Sequence, residues 1–264
     1  MVLSGFMTRS LRILLSNDDG VYAPGLLAMK TSLVAAGHTV TVCAPDQPRS
    51  ATSHSITLHK PLRMKEVDLP DQSKAFACSG MPADCVLMGL KMLNEGQAFD
   101  CVVSGINLGP NLGWDTTYSG TIAAAMEGVV NGVQAIAVSM ASFDIDLHWE
   151  TAGDYVANVL VAKLVANPLP IGTLLNVNVP NLPLYQVGVE VTRQGERHYE
   201  DQHEVRIDPH GAAYYWIGGK AVDTDSIPGT DVHAIREGNI SITPLHLDLT
   251  RYDTLQTIKD WNLS

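Results

Sequence analysis

A run of three apolar residues, Ile13-Leu14-Leu15, stops abruptly at the polar turn Ser16-Asn17-Asp18-Asp19-Gly20, and a helical pattern over residues 25–36 follows it. The run is too short for a helix and suits a strand buried on both faces. Leu26, Leu27, Met29, Leu33 and Val34 give the next segment helical spacing, and Gly37 closes it. The unit then repeats. Strand-like stretches at 39–44, 74–79, 99–104, 135–140 and 174–179 alternate with helix-like ones opening at Pro82, over 121–130 and over 148–167. Residues 55–67 alternate and contain Pro61, the signature of an edge strand or hairpin arm. This order predicts a Rossmann-like, three-layer α/β core: a mostly parallel sheet with helices on both sides.

In an open α/β sheet, ligands gather at the carboxyl ends of the strands. Asp18 and Asp19 lie at such an end. Adjacent carboxylates repel, and each raises the other's pKa unless a cation sits between them. Hard oxygen donors in this position suit Mg²⁺ or Mn²⁺; the plainer alternative is an Asx-type turn that caps the following helix. The polar loop after the second strand, with Arg49, Ser50, Thr52, Ser53 and His54, ends on the same edge, either as part of a site or as a solvated loop. A third stretch, residues 105–121, holds four glycines, two asparagines and a proline. Loops of that length in a compact domain are usually functional. It ends on Ser119-Gly120-Thr121, hydroxyls and amides at a helix start, which can receive an anion or merely cap the helix. Its glycines follow neither the phosphate-loop nor the dinucleotide fingerprint.

Composition narrows the partners. With 17 Lys and Arg against 28 Asp and Glu the formal charge is −11, which gives no electrostatic footprint for nucleic-acid polymer or an anionic membrane. A phosphate ligand would need a local reversal of that field by a metal or a helix N-terminus. The four cysteines, Cys43, Cys78, Cys85 and Cys101, fall in apolar runs without a C-x-x-C spacing. They read as free buried thiols of a reducing compartment, hence a cytoplasmic location. Residues 1–10 lack a signal-peptide pattern, and no 18-residue apolar run suggests a membrane span.

After residue 190 the pattern changes. Residues 187–193, 212–217 and 240–244 look like strands, 194–235 are polar and glycine-rich, Thr230-Asp231 can cap a short helix, and 253–263 form a plausible terminal helix. The expected layout is an extension over 1–10, a catalytic core over 11–190, and over 191–264 a hairpin arm, last strand and terminal helix of the same domain, used for oligomerisation. Histidines in this half show no i, i+4 metal spacing.

Taken in order, the stretches Ser16 to Gly20, Ala44 to Asp46 with Arg49 to Ala51, His54 to Thr57, Pro82 to Val86, Val103 to Asn107, Gly109 to Asn111, Ser119 to Thr121 and Ser241 to Pro244 resemble the SurE family (survival protein E), metal-dependent 5′/3′-nucleotidases. The resemblance implies one divalent cation per subunit, Mg²⁺ or Mn²⁺, on Asp18, Asp19, Ser50 and Asn107, with Asp18 and Asp19 as the catalytic pair. It implies nucleoside 5′- and 3′-monophosphates as substrates, with short polyphosphate as a further candidate, and a homodimer or homotetramer with exchanged C-terminal elements. Asn111, Ser119, Gly120 and Thr121 are then candidates to orient the phosphate oxygens. Met81 stands where the family commonly has threonine, so no hydroxyl is available there. Rival readings are an aspartyl-phosphate phosphatase, whose Asp-x-Asp spacing is absent, a phospho-receiver domain, which would be about half this length, and a non-catalytic nucleotide-binding module.

Overall fold

The computed structural model describes residues 9–222, 227–261 and 263, so most of the N-terminal extension lies outside the described residues. Strands β1 (Arg12–Ser16), β2 (Thr39–Pro45), β3 (Met64–Asp68), β4 (Lys74–Cys78), β5 (Cys101–Leu108), β6 (Gln134–Met140), β7 (Thr173–Val179), β8 (Gly188–Val191) and β11 (Asn239–His246) form one sheet. Its order is β3-β4-β2-β1-β5-β6-β7-β11-β8. The centre is parallel throughout, from β4 through β2, β1, β5 and β6 to β7, while β3 and β11 run antiparallel to their neighbours β4 and β7. Strands β9 (His198–Ile207) and β10 (Ala213–Val222) pair only with each other, as a separate antiparallel hairpin.

Alternation along the strands builds two cores. Ile13 and Leu15, with Cys101, Val103, Ile136 and Val138, point to one face, where helix α1 (Pro24–Ala35) supplies Leu26, Met29 and Leu33. The same face is covered by α4 (Trp149–Tyr155) and α5 (Val161–Ala166), joined by a π turn over Val156–Leu160. Leu14, Cys43, Val102, Ala135 and Ala137 point to the other face, under helices α2 (Pro82–Met92) and α3 (Gly120–Val130). A strand whose neighbouring residues all enter a core must read as a continuous apolar run, which is why Ile13-Leu14-Leu15 announces itself in the sequence.

Several features differ from the sequence pattern. Strand β5 runs past Ser104 to Leu108, shifting register against β6 between Ser104 and Asn107, so four residues of the expected loop, 105–108, are strand. Strand β9 lies in the stretch that reads as polar and glycine-rich. Tyr199, Val205 and Ile207 on it are exposed, so no buried face imposes an apolar alternation. The terminal helix shrinks to a 3₁₀ turn, Tyr252–Thr254, and the five residues of α7 (Leu255–Lys259), all exposed. Strand β11 enters the main sheet between β7 and β8, so the 191–264 segment completes the sheet as well as projecting from it. A short helix, α6 (Asp231–Arg236), capped by the Thr230 hydroxyl, precedes it. Among the described residues no helix is long and apolar enough to cross a membrane.

Helix α1 approaches the sheet closely. A Cβ on Gly25 would stand 2.0 Å from the Ile106 carbonyl oxygen, a backbone atom that cannot yield without moving β5. Gly25→Ala is therefore expected to lower stability by about 1–3 kcal/mol, read as a reduced urea midpoint at unchanged slope. An unaltered midpoint would show that the helix and strand are not held this tightly.

Candidate active site

Strands β1 and β5 are neighbours, and the connections from them leave to opposite sides of the sheet, so a crevice opens at their carboxyl ends. The crevice is a cleft of about 440 Å³ whose walls include Asp18, Asp19, Ser50, Asn107, Asn111 and Ser119. Residues from three separate loops thus converge: the turn after β1, the loop after β2, and the end of β5 with its following loop. A larger cavity, about 1020 Å³, lies on the other side of Ser119 between α3 and β11, lined by Met126, Val130, Leu245 and Leu247 among others. It lacks the carboxylate pair, so the chemistry belongs to the smaller cleft.

The turn is held from within and without. Asn17 accepts the Gly20 N–H at 3.2 Å through Oδ1 and donates Nδ2 to the Gly20 carbonyl at 3.0 Å, and Gly20 takes φ +102° to close the loop. The Arg49 N–H donates to the Asp18 carbonyl at 2.7 Å and the Val21 N–H to the Pro45 carbonyl at 2.8 Å, which zips the Ser50 loop onto the acidic turn. Ser53 fastens the same loop to the opposite wall, its N–H on the Tyr118 carbonyl and its hydroxyl on the Thr117 carbonyl, each at 3.0 Å. Further along, His54 Nε2 sits 3.1 Å from Glu127 Oε2 on α3. This contact ties the loop to α3, a structural role for that histidine.

Asp18 is only 4% exposed. Thr121 donates its hydroxyl to Asp18 Oδ1 at 2.5 Å, and Gly120 must lack a side chain, since a Cβ there would meet Asp18 Cβ at 2.8 Å. Asp19 accepts the Leu108 N–H at 3.2 Å. Among the described residues neither carboxylate has a Lys or Arg partner; Arg49 turns to Asp46 Oδ1 instead, at 3.4 Å. Burial pushes Asp18 up to about 6, the Thr121 hydrogen bond resisting and the Asp19 charge assisting. It raises Asp19 as well, against the Leu108 N–H. Two adjacent like charges, one buried and one half-buried, are what a bound cation would neutralise. The surrounding donors, Ser50 hydroxyl and Asn107 amide oxygen, are hard and neutral, a set that fits Mg²⁺ or Mn²⁺ rather than a thiophilic metal. Asn107 is oriented by its own Nδ2, which donates to the Gly109 carbonyl at 2.8 Å, so Oδ1 is the atom it could offer a cation.

The remaining expected residues divide. Ser119 lines the cleft and caps α3, accepting the Ile122 N–H at 3.1 Å. Asn111 lines it too, but its Nδ2 is committed to Ser139 Oγ at 2.7 Å, and Asn176 and Asn178 hold its carbonyl. Gly120 and Thr121 stand behind Asp18, outside the lining. Thr121, fully buried, orients a carboxylate where the sequence suggests a phosphate contact. Asp115, Tyr118, Phe143 and Tyr199 complete the walls. Their place in the cleft depends on tertiary packing and carries no local sequence signal.

Comparison with known proteins agrees with this geometry. The family model described as survival protein SurE matches residues 13–201, a span that includes every donor discussed above. The chain belongs to the SurE family. A curated SurE relative from Thermosynechococcus vestitus, named 5′-nucleotidase SurE, is 48% identical over 95% of this chain and 96% of its own length. Another of that name from Stenotrophomonas maltophilia (strain R551-3) is 50% identical over 95% of each. The crystal structure of the SurE protein from Aquifex aeolicus superposes with a TM-score of 0.82 at 40% identity, covering 95% of this chain and 99% of that one.

In the unfolded chain Asp18 titrates near 3.8, in the metal-free fold near 6. Between those values folding takes up a proton, so this group costs nothing below pH 3.8 and its full penalty applies above pH 6. Asp18→Asn keeps the Thr121 hydrogen bond and removes the charge. In EDTA at pH 7.5 it should raise stability by up to about 3 kcal/mol, the gain vanishing towards pH 4. A variant less stable than the parent at pH 7.5 in EDTA would contradict the unneutralised charge.

Proposed function

We propose that the protein is a metal-dependent phosphomonoesterase that releases phosphate from nucleoside 5′-monophosphates, with 3′-monophosphates and short polyphosphate as further substrates. The observation that carries the reading is the Asp18–Asp19 pair, one buried and one half-buried, without a basic partner among the described residues, at a strand-end cleft shared with Ser50 and Asn107. The curated relatives' name, 5′-nucleotidase SurE, supports the substrate class.

Asp18, Asp19, Ser50 and Asn107 would hold one divalent cation. When bound, the cation neutralises charge on the phosphoryl oxygens and lowers the pKa of water in its shell. The chain's own residues do the rest. Thr121 and the Leu108 N–H keep the two carboxylates ionised and aimed. Ser119, at the start of α3, presents its helix N-terminus to the cleft and favours the phosphate dianion there. Walls from three loops would position the ester for attack.

The decisive assay is phosphate release from nucleoside 5′- and 3′-monophosphates with Mn²⁺, with Mg²⁺ and with EDTA. Release should need the metal and should fall by about two orders of magnitude or more in Asp18→Asn. A metal-dependent rate near that of the parent would remove Asp18 from the centre.

Association is also proposed. Leu249, Tyr252 and Trp261 stand exposed beyond β11, and Leu249 borders the cavity between α3 and β11. The hairpin and terminal segment would meet a second copy, giving a homodimer or homotetramer. Sedimentation should find such a species at micromolar concentration; a lone monomer would refute it. All four cysteines are free and buried, which suits the reducing cytoplasm.

A further inference from the structure

Three aromatic side chains stand exposed on the walls of the carboxylate cleft. Tyr118 is 65% exposed, Phe143 74% and Tyr199 47%. They come from separate elements: the turn preceding α3, the loop after β6, and the hairpin strand β9. Phosphate and metal have no use for rings, so such a rim on a small polar cleft points to a planar apolar ligand. Phe143 belongs to the site by position, since its ring rests on Gly109, where a Cβ would come within 2.3 Å of it.

Tyr199 is built in more firmly. Its hydroxyl donates to Asp115 Oδ2 at 2.5 Å, and Arg197 Nη1 donates to the same oxygen at 2.9 Å. The Arg197 guanidinium, largely buried, lies over the Tyr199 ring with Cζ 5.7 Å from its centroid. A cation over one face fixes the ring plane. Asp115 in turn belongs to the 3₁₀ turn Gly113–Thr117, whose Gly113 N–H is held by buried Asp231 at 2.9 Å, with the Gly195 N–H on the same carboxylate at 2.7 Å. The base of the hairpin is thereby locked to the cleft wall, and a ring from the arm is presented at a fixed position.

We propose that Tyr199 is the stacking platform for the substrate's nucleobase, and so the residue that separates nucleoside monophosphates from other phosphomonoesters. The inference rests on the nucleotidase reading for the phosphate end. A ring face reads area rather than hydrogen-bond pattern, so every base is accepted and purines stack better than pyrimidines.

The test compares kcat/KM for AMP with kcat/KM for ribose 5-phosphate, which is the same ester without a base. In Tyr199→Ala the ratio should fall about tenfold. In Tyr199→Phe, which keeps the ring and loses the Asp115 hydrogen bond, it should stay within about twofold of the parent. An unchanged ratio in the alanine variant overturns the platform, as does an equal fall in both variants, which would assign the effect to the hydrogen bond. Saturation-transfer NMR with adenosine, without metal or phosphate, reads the same point independently of turnover. The adenine protons should receive saturation from the parent and Tyr199→Phe and lose most of it in Tyr199→Ala; equal transfer to all three refutes the platform. A parent that releases phosphate from neither ester under any metal would sink the nucleotidase reading instead, while the NMR result still decides the role of Tyr199.

Discussion

Two adjacent carboxylates, one almost wholly buried, sit at the end of a central strand, and among the described residues no basic side chain pairs with them. Such an arrangement is costly in an empty fold, because desolvation favours the protonated form and the charges repel. The chain tolerates it through structure that exists for little else. Asn17 and Gly20 shape the turn, Thr121 and the Leu108 N–H hold the oxygens, and the bare Cα of Gly120 leaves room for Asp18. A divalent cation at this point would relieve that electrostatic stress, and the surrounding fold holds the two carboxylates where it could do so.

The sheet supplies the geometry. Parallel strands β1, β2, β5 and β6 all end on the same edge, and because the chain leaves β1 and β5 towards opposite faces of the sheet a crevice opens there. Apolar residues on both faces of each strand fix the register, and through it the height at which Asp18 and Asn107 emerge. The loops are then stitched to one another: the Ser50 loop to the acidic turn through Arg49, and to the far wall through Ser53. Asp231 draws the hairpin base onto the same wall. Donors from distant parts of the chain are thereby held without a long helix or a disulfide between them.

What the sequence discloses follows from the same physics. The core strands are legible because both faces are buried and the residues must be apolar; Asp18 and Asp19 stand out as adjacent acids at a strand end, although the same residues also suit an ordinary Asx-type turn. Ser50 and Asn107 come only through family resemblance, and the cleft gathers both of them beside the carboxylates. Thr121 reads as an anion contact because a hydroxyl at a helix start usually faces outward, whereas the approach of α3 to β1 turns it onto Asp18. Strand β9 stays hidden because its exposed Tyr199, Val205 and Ile207 follow no buried alternation, and with it the setting of Tyr199, which depends on Asp115 from a distant turn and on its near neighbour Arg197. Side chains that act through long-range contacts leave no local period to read.

The claim that the acidic turn is a cation site is tested most directly by anomalous diffraction from crystals grown with Mn²⁺. The account predicts a single strong peak between the carboxylates of Asp18 and Asp19, within coordination distance of Ser50 Oγ and Asn107 Oδ1. A crystal with ordered loops and no peak there, or with manganese bound elsewhere, would contradict it.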